Sequence, residues 1–211
     1  MPKLERWDRI GVGEFAGCAG AMLLVLIAVL ASEPGFVPIL DHTNLALHEA
    51  GHVIFGVFGC TAALYGGTLG QLVFPLAAMT TFWWRRKPGE FAVCGVWLCE
   101  NLYNIARYMA DARAQQLPLV GGGEHDWLNI FTRWNALASD TRVARVTTVL
   151  GWLGFAGLAL WLTWRFLRDR RTAPTPPPSL PRAVPPGTPA TGGPGAADGP
   201  GGAERSGPRA E

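Results

Sequence analysis

The sequence predicts an all-α polytopic membrane bundle with about five spans and a disordered C-terminal tail. Three observations predict it. Apolar residues make up 49% of the chain and charged residues only 16%, and the apolar ones are bunched into long runs. Two of those runs close with tryptophans followed by cations, the pattern of a membrane–water interface. Beyond residue 171 the composition changes, and 11 of the 17 prolines fall there. Such a segment cannot bury enough apolar surface to offset its ordering entropy. The boundaries are therefore 1–171 for a membrane-embedded helical domain and 172–211 for the tail.

The first span is 14–31, apolar after Glu14 and long for a signal core, so it is read as a retained helix rather than a cleaved leader. Residues 32–42 hold Pro34, Gly35 and Pro38 and read as a connection. The second span is about 43–60. The third, about 67–84, ends in Trp83-Trp84 and then Arg85-Arg86-Lys87, and Pro75 should kink it. The fourth, about 90–110, is more polar. A loop, LPLVGGGEHDW, follows, with 127–138 as a surface helix. The fifth, about 146–167, carries Gly151, Gly154 and Gly157 roughly one turn apart, which suits close helix packing. It ends in Trp161, Trp164 and the cationic RFLRDRR.

Five spans put the termini on opposite faces. Arg85, Arg86, Lys87 and RFLRDRR then share one side, while Lys3, Arg6, Arg9, Arg113, Arg133, Arg142 and Arg145 share the other. The densest cluster favours a cytoplasmic C-terminus. The net charge of +2 is too small for a nucleic-acid partner. The four cysteines lie in or beside apolar runs without metal-ligand spacing and read as small hydrophobes.

Inside the second span lies HEAGH. On a helix His48 and His52 project from one face, four residues apart, and their imidazoles can reach one metal ion. Glu49 can approach a water on that metal. This is the HExxH arrangement of two zinc ligands and a general base. Charged groups in a span cost several kcal/mol, about 2.5–3.5 on insertion scales, so a functional reason is the default. A tetrahedral site needs a third protein ligand. His125 and Asp126, in the Gly-rich loop, are the first candidates. Glu100 and Asp111 are rivals on a polar stripe of the fourth span that also includes Asn104 and Arg107. Arg107 and Asp111, four apart, can pair. Asp111 can also orient a ligand histidine. His42 lies off the ligand face. Gln71, a lone amide in an apolar run, is a candidate hydrogen-bond donor to a developing oxyanion.

HEAGH on an apolar helix, followed by a Gly-rich turn and an amide, resembles the site-2 protease family of polytopic membrane zinc metalloproteases. The likeness covers roughly residues 40–80. It implies zinc ligation by His48 and His52, a catalytic role for Glu49, and a place for Gln71 where that family often has an asparagine. The family's third ligand is an aspartate in an Asp-Gly context on a later span. Here the only Asp-Gly is Asp198-Gly199 in the tail, and Asp126 stands in His-Asp-Trp. RYMADARA is also similar to the ExxAD element of CaaX-type membrane proteases, with Arg107 where that element has a glutamate.

The expected activity is therefore zinc-dependent hydrolysis of peptide bonds in a membrane-associated protein or peptide. The protein is expected to be an integral, multi-pass component of a bacterial-type cell membrane. The competing reading is a non-proteolytic membrane metal protein, whether a carrier, a sensor or an inactive relative.

Overall fold

The computed structural model describes residues 7–31, 36–119 and 124–172. The tail assigned to 172–211 lies, apart from Thr172, outside the described residues. Among the described residues there are six α-helices and no strand: α1 (Val12–Ala31), α2 (Pro38–Gly56), α3 (Cys60–Trp84), α4 (Pro88–Ala110), α5 (Asp126–Arg133) and α6 (Asp140–Arg171), with a 3₁₀ turn at Leu137–Ser139 before α6. Three of them, α1, α3 and the segment Leu137–Arg171, are long and apolar enough to cross a membrane.

Helix ends follow local chemistry. Pro38 opens α2 at a position where its missing N–H costs nothing, so the expected connection shortens and the helix starts five residues before 43. Asp41, in the first turn, accepts the Val37 N–H and brings negative charge to the positive helix end. Gly59, at φ 104°, makes the turn into α3. α3 runs through the buried Pro75 without ending. The surface helix expected at 127–138 is shorter, Asp126–Arg133, and Asn135 at φ 53° turns the chain away from it.

α1, α4 and α6 share one core of Cys18, Met22, Ala92, Val96, Cys99, Phe155 and Leu162. Small residues let these helices approach. A Cβ at Gly151 would lie 2.5 Å from Tyr103, and one at Gly154 would lie 2.9 Å from Cys99 Sγ, whereas Gly157 faces nothing within 4 Å. Two of the three expected packing glycines therefore touch α4. α2 and α3 form an antiparallel hairpin with closer contact still. Gly51 on α2 meets the backbone of Gly66 and Gly70 on α3, leaving no room for a Cβ.

The two ends of the bundle differ. At one end the chain preceding α1 is tied to the end of α6: Ile10 N–H donates to Asp169 (3.1 Å) and Arg165 donates to the Trp7 and Asp8 carbonyls (3.1 and 3.2 Å). Lys87, in the α3–α4 turn, pairs with Asp8 at 2.6 Å. Trp7 packs edge-on against Trp83, Phe91 and Trp161, with ring centroids 5.0–5.8 Å apart. This corrects the expected split of the termini across opposite faces: Arg9 lies on the same end as Arg85–Lys87 and the α6 cations. The other end gathers α2, α5, residues 111–119 and the start of α6, closed by Ile105, Met109, Trp127, Ile130 and Phe131.

Candidate metal centre

The HEAGH residues lie past the middle of α2, on the face turned towards α3 and α5. His48 Nε2 is 2.8 Å from Asp126 Oδ2, and His52 Nε2 is 3.1 Å from the same oxygen. These are the only three His, Cys, Asp or Glu side chains among the described residues whose ligand atoms converge within 4.8 Å. Of the two loop candidates, Asp126 reaches the pair. Asp126 opens α5, and the Tyr108 hydroxyl accepts its backbone N–H at 3.2 Å. Tyr108 also sets its ring edge-on against His48, with centroids 5.8 Å apart. α2 ends at the α2–α3 turn, which lies at this end of the bundle, so the loop after α4 meets the pair directly.

His125 turns the other way. Its Nδ1 accepts the Leu128 N–H at 3.3 Å and caps α5, its ring stacks on Tyr108 at 4.2 Å, and its Nε2 lies 3.5 Å from Asp111. Burial pushes this imidazole below its ordinary pKa, so it sits neutral. Asp111 is not near the pair; its oxygens accept the Gln116 and Leu117 N–H groups at 2.8 and 3.0 Å and fold the loop. Glu100 is buried and accepts from Asn44 at 2.7 Å, and Asn44 in turn accepts from Trp97 at 2.9 Å. Arg107 does not pair with Asp111. It donates to Asp41 at 2.6 Å, across helices.

Gln71 sits beside the histidines with both ends of its amide engaged. Its oxygen faces His48 Nδ1 at 3.2 Å and its nitrogen donates to Asn104 at 2.9 Å. Asn104 donates to Asp41. In this arrangement Gln71 holds the His48 ring, and both ends of its amide are taken, unlike the free donor to an oxyanion expected of it. His42 is exposed, bonded through Nδ1 to the Pro38 carbonyl and set edge-on to Phe36. Glu49 is exposed and lines the same cavity as His48, His52 and Asp126, a space of about 960 Å³.

The chain of amides fixes the tautomers. Asp41 offers acceptors only, so Asn104 presents its NH₂ to it and its oxygen to Gln71. Gln71 then presents its NH₂ to Asn104 and its oxygen to His48, and Nδ1 of His48 must carry the hydrogen. His52 Nδ1 faces the Ala63 carbonyl at 2.8 Å and must carry one too. In neutral rings both Nε2 atoms are then bare lone pairs, and both point at a carboxylate oxygen. Three acceptors converge on one point, which is repulsive unless something positive stands among them. Protons alone would require two imidazolium rings on one largely buried carboxylate. One divalent ion satisfies all three. With ligand bonds of about 2.0–2.1 Å, tetrahedral ligand atoms stand roughly 3.3 Å apart, within about half an ångström of the two His–Asp distances of 2.8 and 3.1 Å.

α3 leaves the space for this. A Cβ on Gly67 would fall 2.5 Å from His48 Nε2 and 2.6 Å from His52 Nε2. Sequence reasoning missed Gly67, Asp41, Asn44 and Tyr108 as parts of the site. Asp41, Asn44 and His48 follow one another at helical spacing, so extending the helix upstream through Pro38 would have found two of them.

Among known proteins, no family model, no curated protein and no solved structure matches this chain.

Proposed function

We propose that the protein is a membrane-embedded, zinc-dependent peptidase acting on a membrane-associated protein or peptide, in the manner of the site-2 protease family that HEAGH resembles. The observation that carries this reading is the convergence of His48 Nε2, His52 Nε2 and Asp126 Oδ2 with both Nδ1 atoms already committed elsewhere. Two imidazoles and a carboxylate suit zinc. A divalent ion held there supplies Lewis-acid activation of water and of a carbonyl group. Glu49, paired with no cation among the described residues and lining the same cavity, would take the proton from an attacking water and return it to the leaving amine. Gln71 and the Ala63 carbonyl orient the two rings. A cavity of about 960 Å³ lined by Phe36, Leu45 and Leu119 as well as polar groups accepts an extended peptide segment.

The membrane placement belongs to the same proposal. α1, α3 and α6 cross, and α4 is the fourth crossing because only Arg85–Lys87 separate it from α3. α2 packs at the site end without crossing.

Metal content of the detergent-purified full-length chain tests the reading, measured by mass spectrometry beside His48→Ala and Asp126→Ala. About one zinc per wild-type chain, lost in both variants, is expected, while well-folded wild type without zinc overturns it. On a panel of membrane-protein reporters, Glu49→Gln should keep zinc and lose hydrolysis; full activity in that variant removes Glu49 from the mechanism.

A further inference from the structure

We propose that the site cavity opens on the extracytoplasmic face, so that its substrates are segments of exported or membrane-anchored protein exposed on that face. The substrate half of this inference rests on the peptidase reading; the topological half does not.

The argument starts from where the cations fall. Arg9, Arg85, Arg86, Lys87, Arg165, Arg168, Arg170 and Arg171 share one end of the bundle, because the residues before α1 are bonded to the end of α6 and to the α3–α4 turn. Three of them stand consecutively in that turn, and the α6 cations occupy its last two turns. The opposite end carries Arg113, Arg133, Arg142 and Arg145, spread over 33 positions of α5, α6 and the chain between helices. Dense lysine and arginine in short loops and at span ends stays cytoplasmic. The bundle therefore stands with its basic end inside. Exposed tryptophans stand at both ends, Trp83, Trp84 and Trp164 at the basic end and Trp134 at the other, where a membrane–water interface places them.

The metal centre belongs to the far end. His52 is held by Ala63, about 5 Å of helix rise from the start of α3, and His48 is held by Gln71, about 16 Å along it. The cavity is lined there by Cys60, Leu117, Glu124, Asn129 and Arg133, all from that end. The four-crossing count matters here. With an odd number of crossings the basic residues divide between the faces and the rule is silent; with the ends assembled as they are, it points one way.

The chain carries its own reporter. Cys60 is exposed at the cavity mouth, whereas Cys18 and Cys99 are buried and Cys94 is half-buried within α4. The test uses the full chain with Cys18, Cys94 and Cys99 changed to Ser, in spheroplasts of an expressing bacterium, treated with a membrane-impermeant maleimide. A second variant lacks Cys60 and carries Arg85→Cys in the exposed turn at the basic end. Labelling of Cys60 in intact spheroplasts, with Arg85→Cys labelled only after lysis, is the expected result. The reverse pattern overturns the proposal, as does labelling of both positions before lysis or of neither. Zinc content of the labelled protein is read separately, so failure of the topology and failure of the metal reading are distinguishable.

Discussion

Gly67→Ala adds one methyl group at the point where α3 faces both ligand histidines. The new Cβ would stand 2.5 Å from His48 Nε2 and Cε1 and 2.6 Å from His52 Nε2. Carbon–nitrogen contacts settle near 3.5 Å, so the rings or α3 must retreat by about 1 Å. Retreat of α3 would open its close backbone packing on Gly51 through Gly66 and Gly70, so the displacement falls mainly on the rings. Metal–ligand bonds tolerate displacements of roughly 0.2 Å, several times less than this. Overpacking of this kind costs about 1–3 kcal/mol. If it falls wholly on the liganded geometry, zinc affinity drops by about 5- to 150-fold. The assay is zinc competition against a chelating dye on the detergent-purified chain, with a thermal melt alongside. Gly20→Ala is the control, since nothing lies within 4 Å of that position. Wild-type zinc affinity in Gly67→Ala would refute the claim that α3 shapes the centre.

Further predictions concern the surrounding polar network. Gln71→Leu leaves the His48 Nδ1–H without its acceptor, and zinc affinity should fall about 10- to 100-fold while the chain stays folded, read in the same competition assay. Arg107→Ala strands the buried Asp41 carboxylate, and the thermal midpoint should fall by the equivalent of about 3–5 kcal/mol; an unchanged melt means the pair contributes nothing. His125→Ala should keep zinc but melt earlier, by about 1 kcal/mol for the lost α5 cap, whereas Asp126→Ala should lose zinc. Zinc loss in His125→Ala alone would reverse the assignment of the third ligand.

HEAGH made His48, His52 and Glu49 legible before any coordinates, because a three-residue gap on a helix dictates a shared face. His125 and Asp126 could not be separated in sequence. Adjacent residues at a helix start point in different directions, and which one reaches the histidines depends on the packing of α5 against α3 and Tyr108. Arg107 shows the limit of local reasoning: its i,i+4 neighbour Asp111 is spent on the loop backbone, and its partner Asp41 lies 66 positions away. Pro38 is legible as a breaker, but the same residue opens helices at the first position, and that use puts Asp41 on the same helix as Asn44 and His48. The placement of the termini depended on whether α2 crosses, which composition alone does not decide.

His48 and His52 are held by anchors of different kinds. His52 leans on a main-chain carbonyl, Ala63 O, which every amino acid at position 63 would offer alike. His48 leans on a side chain, Gln71, which one codon change can lengthen, shorten or remove. A substitution at position 71 changes the anchor of His48 directly, whereas one at position 63 leaves the carbonyl that anchors His52 in place. Position 71 is therefore a direct address for variation in how His48 is held, and a directed search for altered zinc binding should begin there.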